Sequence, residues 1–159
     1  MVTSLIPTKE RVYPVGRLDQ DSTGLILLTN DGTLANTLTH PRYHIPKVYH
    51  VLVTGVVTEA KLQRIRTGID LDDGRTAPAE IKKLKEFPNK ILLEITLHEG
   101  KKRQIRRMCA TLRIHVLELK RIRMGKLQLG SLKPGMFRKL TAQEIEELKK
   151  LSSETKPKF

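Results

Sequence analysis

The first half of the chain alternates strand-like and helix-like patterns of apolar residues. Residues 24–29 form a short apolar run, and the turn-forming residues 30–32 follow it, so the pattern predicts a buried strand that ends in a turn. A short helix is expected over 32–39. Residues 47–53 are rich in β-branched and aromatic side chains and predict another strand. Residues 58–68 begin with an N-capping threonine and end with a glycine, which predicts an amphipathic helix between them.

The second half continues with longer patterns. Residues 91–97 alternate between apolar and less apolar side chains, as in a half-buried strand. Within 101–112 the apolar residues Ile105, Met108, Cys109 and Leu112 follow the spacing of a buried helical stripe, and the opposite face is basic. Residues 115–124 again have a strand-like composition. A capping box, Thr141-Ala142-Gln143-Glu144, predicts a last helix through Leu151.

These elements interleave without a strict strand-helix-strand rhythm, and the predicted helices are fewer than the strands. We therefore predict an α+β fold with a mixed, largely antiparallel sheet flanked by helices. The 159 residues suffice for one compact core. We expect a flexible N-terminal segment over 1–10, one folded domain over 11–151 and a flexible C-terminal tail over 152–159.

The charge balance narrows the possible partners. Lys and Arg number 30 against 17 Asp and Glu, which gives a formal net charge of +13 and predicts a polyanionic partner. No apolar run approaches the roughly 20 residues that span a bilayer, and no secretory signal opens the chain. The single cysteine, Cys109, has neither a disulfide partner nor a metal-ligand cluster around it. No glycine-rich phosphate motif is present. We expect a cytoplasmic protein without a metal or cofactor and without membrane contact.

The positive charge is concentrated between Lys101 and Lys126, where ten basic residues accompany one acidic residue, Glu118. Such a run is often a solvated face, but its length and purity favour phosphate binding. Arg103 and Arg107 are four residues apart, so they repel each other on a helix unless an anion neutralises them. Aromatic residues make up only 4% of the chain, which disfavours single-strand binding by rows of stacked bases. Structured RNA held by its backbone fits better.

Candidate chemistry lies in Gly16-Arg17-Leu18-Asp19-Gln20-Asp21-Ser22-Thr23-Gly24. Taken alone, this segment is typical of a polar turn that leads into a strand. Asp19 and Asp21, two residues apart, also suggest a hydrolase with paired carboxylates, but we do not expect the two side chains to act together as an acid-base pair. A paired hydrolytic site is therefore the weaker interpretation.

Two further segments change the picture: Lys47-Val48-Tyr49-His50-Val51 and Glu99-Gly100-Lys101-Lys102-Arg103-Gln104-Ile105-Arg106-Arg107-Met108. With the aspartate segment, and in this order, they resemble the three motifs of bacterial ribosomal RNA pseudouridine synthases of the RsuA/RluB type. The resemblance continues through Thr29–Gly32, His40–Tyr43 and Leu119–Gly125, and covers roughly residues 14–141. It implies the pseudouridine synthase fold and an isomerase that converts uridine to pseudouridine without a cofactor.

The resemblance also implies roles for single residues. Asp19 matches the catalytic aspartate, which attacks the ribose anomeric carbon or assists removal of the 2′ proton. Tyr49 matches the active-site tyrosine that packs against the uracil, and Leu119 matches the apolar residue of the base pocket. Arg106 matches the basic residue expected to pair with the aspartate and depress its pKa. Arg17 is expected to enter the RNA helix in place of the extruded uridine.

We expect RNA to contact basic side chains of the three motifs and of the strand after the basic helix, namely Arg17, Lys47, Lys101, Lys102, Arg103, Arg107, Arg121 and Arg123. The stretches 40–49 and 129–135 look more like the large-subunit group, which favours 23S rRNA, free or in an assembling subunit, over 16S rRNA. We expect a monomer. A non-catalytic ribosome-associated RNA-binding protein is the alternative of a different class.

Two departures from the family pattern stand out. Arg113 occupies a position where relatives often have the glycine that ends the basic helix, which predicts a helix end of different shape. Many relatives also carry a small RNA-binding module of the S4 type before the catalytic domain, and nothing of that kind precedes Val15. We expect either an excised catalytic fragment or a member that lacks the module.

Overall fold

The computed structural model describes residues 2–6, 10–40 and 45–154, which form ten β-strands, four α-helices and one short 3-10 helix at Val2–Leu5. The strands are β1 (Tyr13–Val15), β2 (Thr23–Gly24), β3 (Leu27–Thr29), β4 (Lys47–Thr54), β5 (Asp70–Leu71), β6 (Gly74–Arg75), β7 (Glu80–Glu86), β8 (Ile91–Leu97), β9 (His115–Met124) and β10 (Leu127–Gln128). The helices are α1 (Gly32–Thr39), α2 (Glu59–Thr67), α3 (Gln104–Thr111) and α4 (Ala142–Glu154). None of the described helices is long and apolar enough to cross a membrane.

Six strands form the main sheet, in the order β10-β9-β4-β8-β7 with β2 beside β9. The pairs are antiparallel except for β2 with β9, which is parallel. Two smaller pairs, β1 with β3 and β5 with β6, lie outside this sheet. The predicted α+β fold with a mixed, largely antiparallel sheet is confirmed.

One apolar core joins the centre of the sheet to α2 and α3. Val51 and Val53 on β4 and Leu93 and Ile95 on β8 are completely buried, because alternate strand residues point to the same face. The predicted stripe of α3 packs against this layer. Its Cys109 is a core side chain, and burial raises the pKa of the thiol to about 12.

A second apolar core is assembled from both ends of the described chain. Val15 of β1 and Leu27 of β3 pack with Leu38 of α1, with Met124 at the end of β9 and with Leu148 of α4. Segments more than 100 residues apart in sequence therefore share one cluster. Contacts between segments so far apart in sequence carry a high loop-closure cost during folding.

Three helices follow their capping signals closely. α1 spans the predicted 32–39. α2 begins after Thr58, whose hydroxyl accepts a hydrogen bond from the Lys61 N–H, and ends at Gly68. In the capping box of α4, the Glu144 N–H donates to the Thr141 hydroxyl at 3.1 Å and the Thr141 N–H donates to the Glu144 carboxylate at 2.9 Å. α4 continues to Glu154, so its predicted end at Leu151 was wrong.

Two other boundaries also differ from the prediction. The apolar run 24–29 is split between β2 and β3, because Gly24 lies against β9 so closely that a Cβ atom there would be 2.2 Å from the Arg121 carbonyl oxygen. α3 begins at Gln104 rather than at Lys101, after Arg103 in the left-handed conformation (φ 51°). Most of the predicted motif 40–43 lies outside the described residues.

The end of α3 keeps the shape that a glycine would give it. Arg113 is left-handed (φ 58°), its N–H donates to the Ala110 carbonyl at 3.0 Å, and the Ile114 N–H donates to the Cys109 carbonyl at 2.8 Å. These two bonds are those of a Schellman motif. The predicted change of shape at this helix end was therefore wrong, and an arginine adopts the strained conformation instead.

Candidate active site

A cleft of about 580 Å³ lies where side chains of both apolar cores meet, beside the β1–β2 loop, the chain before α3, and β4 and β9. Most of the residues that the sequence singled out line it. They are Arg17, Asp19, Lys47, Tyr49, Lys101, Lys102, Arg103, Leu119 and Arg121. Arg106, Arg107 and Arg123 do not line this cleft.

Asp19 lies in the loop that joins β1 to β2. The loop leaves β1 through Gly16 in a left-handed conformation (φ 75°), and a turn closes it where the Ser22 N–H donates to the Asp19 carbonyl at 2.9 Å. The Asp19 side chain is 30% exposed, and its Oδ2 lies 3.9 Å from Nη1 of Arg103. The carboxylate is therefore held at the cleft, and no side chain of the described residues forms a close hydrogen bond with it.

The neighbouring carboxylate of Asp21 is firmly bound. Arg103 Nη1 and Nη2 donate to its two oxygens at 2.9 and 3.0 Å, a bidentate geometry that is strong for an arginine-carboxylate pair. These hydrogen bonds lower the pKa of Asp21 to about 2. Asp21 thus anchors the aspartate loop to the start of α3, and its engagement by Arg103 argues against a hydrolytic pair of Asp19 and Asp21.

Arg106 binds the loop through Asp21 and not through Asp19. Its Nη2 donates to the Asp21 carbonyl at 2.7 Å, and its Nε lies 3.5 Å from Oδ1 of the same residue. The predicted ion pair between Arg106 and Asp19 is therefore wrong for this structure. The left-handed backbone of Arg103 turns that side chain toward the loop, so Arg103 is the arginine that approaches Asp19.

The sheet contributes two adjacent pairs of side chains to the cleft. Lys47 and Tyr49 come from β4, whereas Leu119 and Arg121 come from β9. Residues two apart on a strand project to the same side, and Tyr49 is the register partner of Arg121. Tyr49 is half-buried and Leu119 is buried. An aromatic ring and an aliphatic side chain thus lie close together on one wall of the cleft. A planar ring such as a nucleic-acid base can pack against this wall.

Arg121 differs from the prediction of a surface phosphate contact. It is only 3% exposed, and its Nε donates to the Leu25 carbonyl at 2.9 Å. Burial and the positive charge of Arg121 lower the pKa of the neighbouring Lys47, while the Glu99 carboxylate opposes this shift. The inner part of the cleft therefore contains two partly desolvated cations.

Arg107 points away from the cleft. Its Nη1 and Nη2 donate to the carboxylate of Asp73, in the β5–β6 turn, at 2.9 and 3.1 Å, and these bonds lower the pKa of Asp73. The sequence predicted that an external anion would neutralise Arg103 and Arg107. The structure instead supplies Asp21 and Asp73, so the basic run is partly neutralised within the protein.

A polar network that no sequence pattern predicted fixes the start of α3. Glu99 accepts hydrogen bonds from Nε2 of Gln104 at 2.9 Å and from the Ala77 N–H at 2.5 Å. Oε1 of Gln104 accepts from the Lys101 N–H at 3.1 Å. Glu99 and Gln104 both belong to the third motif, which is the signal that could have marked them, but their partner Ala77 follows from no local pattern.

Comparisons with known proteins identify related chains. A family model described as RNA pseudouridylate synthase matches residues 3–111. An uncharacterized RNA pseudouridine synthase of Aquifex aeolicus is 47% identical over 139 residues, which are 87% of this chain and 56% of the relative. The ribosomal large subunit pseudouridine synthase B of Bacillus subtilis is 42% identical over 152 residues, 94% of this chain and 62% of the relative. The ribosomal large subunit pseudouridine synthase E of Vibrio vulnificus is 41% identical over 154 residues, 88% of this chain and 65% of the relative.

Solved structures show the same fold. A crystal structure of a pseudouridylate synthase matches with a TM-score of 0.83 and 34% identity, covering 92% of this chain and 64% of that chain. A chain of an archaeal box H/ACA ribonucleoprotein complex matches with a TM-score of 0.57 at 20% identity, which concerns the fold alone. The chain spans 56% and 62% of the lengths of the first two curated relatives. These matches confirm the resemblance of the three motifs, and the chain belongs to the RNA pseudouridylate synthase family.

Proposed function

We propose that this chain is the catalytic domain of an enzyme that isomerises uridine to pseudouridine in ribosomal RNA, with Asp19 as its catalytic carboxylate. The observation that carries the proposal is the position of Asp19 at the cleft, within one cavity lining with Tyr49 and Leu119. A base extruded from RNA can be held between an aromatic ring and an aliphatic side chain, which brings its ribose toward the aspartate.

The reaction needs no atoms beyond those of the uridine. The N1–C1′ bond breaks, the uracil turns within the cleft, and a new bond forms between C5 and C1′. The proton on C5 then leaves, and N1 gains a proton. Asp19 serves this sequence either by bonding to C1′ until C5 displaces it, or by assisting removal of the 2′ proton, which is then returned to C2′. Tyr49 packs against the uracil. Arg103 and Arg106 position the aspartate loop through Asp21.

The RNA backbone would be held at the rim of the cleft. Arg17 and Lys102 are exposed there, and Lys101 lines the same edge. Exposed cations next to a base pocket can bind phosphates while the target nucleotide is extruded. Arg17, beside Asp19, is the side chain that would replace the extruded base in the helix. Arg123 is exposed on β9 outside the cleft, so we assign it to a more distant part of the RNA.

The names of two relatives favour large-subunit rRNA as the substrate. The Bacillus subtilis and Vibrio vulnificus relatives are named ribosomal large subunit pseudouridine synthases, and stretches 40–49 and 129–135 resemble the same group. We therefore propose 23S rRNA, alone or in an assembling subunit, as the substrate of a cytoplasmic monomer. Small-subunit rRNA is the second candidate.

The deciding experiment is chemical mapping of pseudouridine in unmodified 23S and 16S transcripts after incubation with the protein, with Asp19→Asn in parallel. We expect one new pseudouridine in 23S rRNA from the unmutated protein. We expect the variant to react at least about 1,000-fold more slowly, because the catalytic group is lost, while it still binds RNA. Product from Asp19→Asn at an unchanged rate would contradict the assignment, and RNA binding without any product would favour the non-catalytic alternative.

A further inference from the structure

Arg121 brings an incompletely hydrogen-bonded guanidinium to the wall of the cleft. Its Nε donates to the Leu25 carbonyl at 2.9 Å, and its own carbonyl accepts from the Leu25 N–H at 2.8 Å. The buried Nη2 has no hydrogen-bond partner among the described residues. Nη2 is enclosed by the protein, so Nη1 is the nitrogen that can reach the cleft, where a bound molecule would supply its acceptor.

The charges around Arg121 restrict what that acceptor can be. No carboxylate of the described residues forms an ion pair with Arg121, whereas Lys47 lies close enough for the two cations to repel. Glu99 acts electrostatically on Lys47 and is already engaged by Gln104 and the Ala77 N–H. The inner cleft therefore has an excess of positive charge, which suits a ligand atom that carries or acquires negative charge.

We propose that Arg121 donates a hydrogen bond to a carbonyl oxygen of the extruded uracil and stabilises the negative charge that the base acquires when the N1–C1′ bond breaks. This inference rests on the proposed function. It adds Arg121 to the catalytic residues, as a group that contacts the reacting base.

The chemistry of uracil makes this position useful throughout the reaction. When the N1–C1′ bond breaks, its electron pair leaves with the base and is delocalised from N1 onto O2 and O4. Rotation of the ring about the line through N3 and C6 exchanges N1 with C5 and O2 with O4. A donor at a fixed position therefore meets a carbonyl oxygen before and after the rotation. The electron pair then forms the C5–C1′ bond, the C5 proton leaves and N1 is protonated.

The location of Arg121 favours the base over a phosphate. Arg121 is 3% exposed and lies two residues from Leu119 on β9, so both side chains project to the same side of the strand and line the cleft. Phosphates remain on the RNA strand and are reached more easily by exposed side chains such as Arg17 and Lys102 at the rim. The extruded base is the part of the nucleotide that enters a buried pocket.

Variants at Arg121 test the role directly. Arg121→Met should lower the single-turnover rate at saturating RNA by about 100- to 1,000-fold, the effect of removing one donor to a developing anion, while the RNA dissociation constant changes by less than about 3-fold. Arg121→Lys should restore part of the rate. Arg64→Met, on the exposed face of α2, is the matched control. Thermal unfolding establishes that each variant is folded. If Arg121→Met is not folded, Arg121→Lys is used in its place with the modified substrates.

Substrates with sulfur at O2 or O4 of the target uridine identify the contact. Sulfur accepts hydrogen bonds weakly, so one of these substitutions should slow the unmutated protein by about 10-fold and the Arg121 variant by less than about 2-fold. If each sulfur substitution slowed the unmutated protein and the Arg121 variant by the same factor, the inference would be overturned. If a phosphorothioate in the RNA backbone slowed the unmutated protein more than the Arg121 variant, Arg121 would be assigned to a phosphate. An active unmutated protein with an equally active Arg121→Met variant contradicts this inference alone. No product from the unmutated protein contradicts the proposed function and this inference together.

Discussion

The two ends of α3 carry arginines in the same unusual backbone conformation, Arg103 with φ 51° and Arg113 with φ 58°. Elsewhere in the described ranges, positive φ angles occur only at glycines. Arg103 directs its guanidinium to both oxygens of Asp21 and to within 3.9 Å of Asp19. Arg113 is exposed, and its side chain has no hydrogen bond or ion pair with the described residues.

The difference shows two uses of the same strain. A non-glycine residue in the left-handed region costs about 1–2 kcal/mol. At the C-terminal end, only the backbone bonds of the Schellman motif require this conformation, so a glycine would serve as well. At the N-terminal end, the conformation aims a side chain at the aspartate loop, so a glycine would keep the backbone and lose the contact. Backbone strain that serves a site can therefore be told from strain that serves only a helix end, because in the first case the side chain makes a contact that glycine would lose.

Among the changes that compare the two ends of α3, Arg103→Gly should have the largest effect. The left-handed backbone is retained, but Asp21 loses its bidentate partner and the loop that carries Asp19 is released. We expect the single-turnover rate of pseudouridine formation at saturating RNA to fall about 100-fold, as for a misplacement of about 1 Å in the reacting groups. Arg113→Gly is the control with the same substitution at the other end of α3. Equal rates for the two variants would remove the distinction between the two ends.

The second-largest difference between the two ends of α3 is expected in the pH dependence of stability. The pKa of Asp21 is about 2, below its ordinary value of 3.8. Its ionised form therefore stabilises the fold above about pH 4, and this contribution is lost as the pH falls toward 2. We expect the unmutated protein to exceed Asp21→Asn in urea stability at pH 6 and the gap to narrow between pH 4 and 2. Arg113→Gly should show no such narrowing, and a constant gap for Asp21→Asn would contradict the role of this carboxylate.

The salt dependence of RNA binding should distinguish the free cation before α3 from the paired cation within it. Lys102 is exposed without an ion pair among the described residues, whereas Arg107 is bound by Asp73. Lys102→Met should reduce the slope of log affinity against log salt by about 1, because one fewer counterion is released. Arg107→Met should change the slope by less than half as much. A larger change for Arg107→Met would mean that RNA displaces Asp73.

Arg113→Gly should have the smallest effect and the opposite sign. Glycine removes the steric cost of the left-handed conformation but adds freedom to the unfolded chain. We expect a gain of about 0.5–1 kcal/mol in the free energy of unfolding, measured by urea denaturation, with the rate of pseudouridine formation unchanged. A loss of stability would show that the Arg113 side chain makes contacts that the structure lacks.

Local patterns predicted the parts of the fold that depend on neighbouring residues. The extent of α1, the N-caps of α2 and α4, the strand β4 and the buried stripe of α3 follow from spacing and capping chemistry, which act within a few residues. The start of α3 was predicted too early, because the residues before Gln104 are basic and no capping side chain marks the boundary. The split of 24–29 into two strands depends on β9, almost 100 residues away.

The sequence by itself determined the α+β class, the basic character and, through three motifs, the family and most residues of the cleft. Only the tertiary structure decided which charges meet: Arg103 and Arg106 bind Asp21, Arg107 binds Asp73, and Arg121 is buried against Leu25. The physical reason is the distance along the chain over which each effect acts. Capping and periodicity are set by adjacent residues, whereas ion pairs and burial depend on how distant segments pack, which no local pattern records.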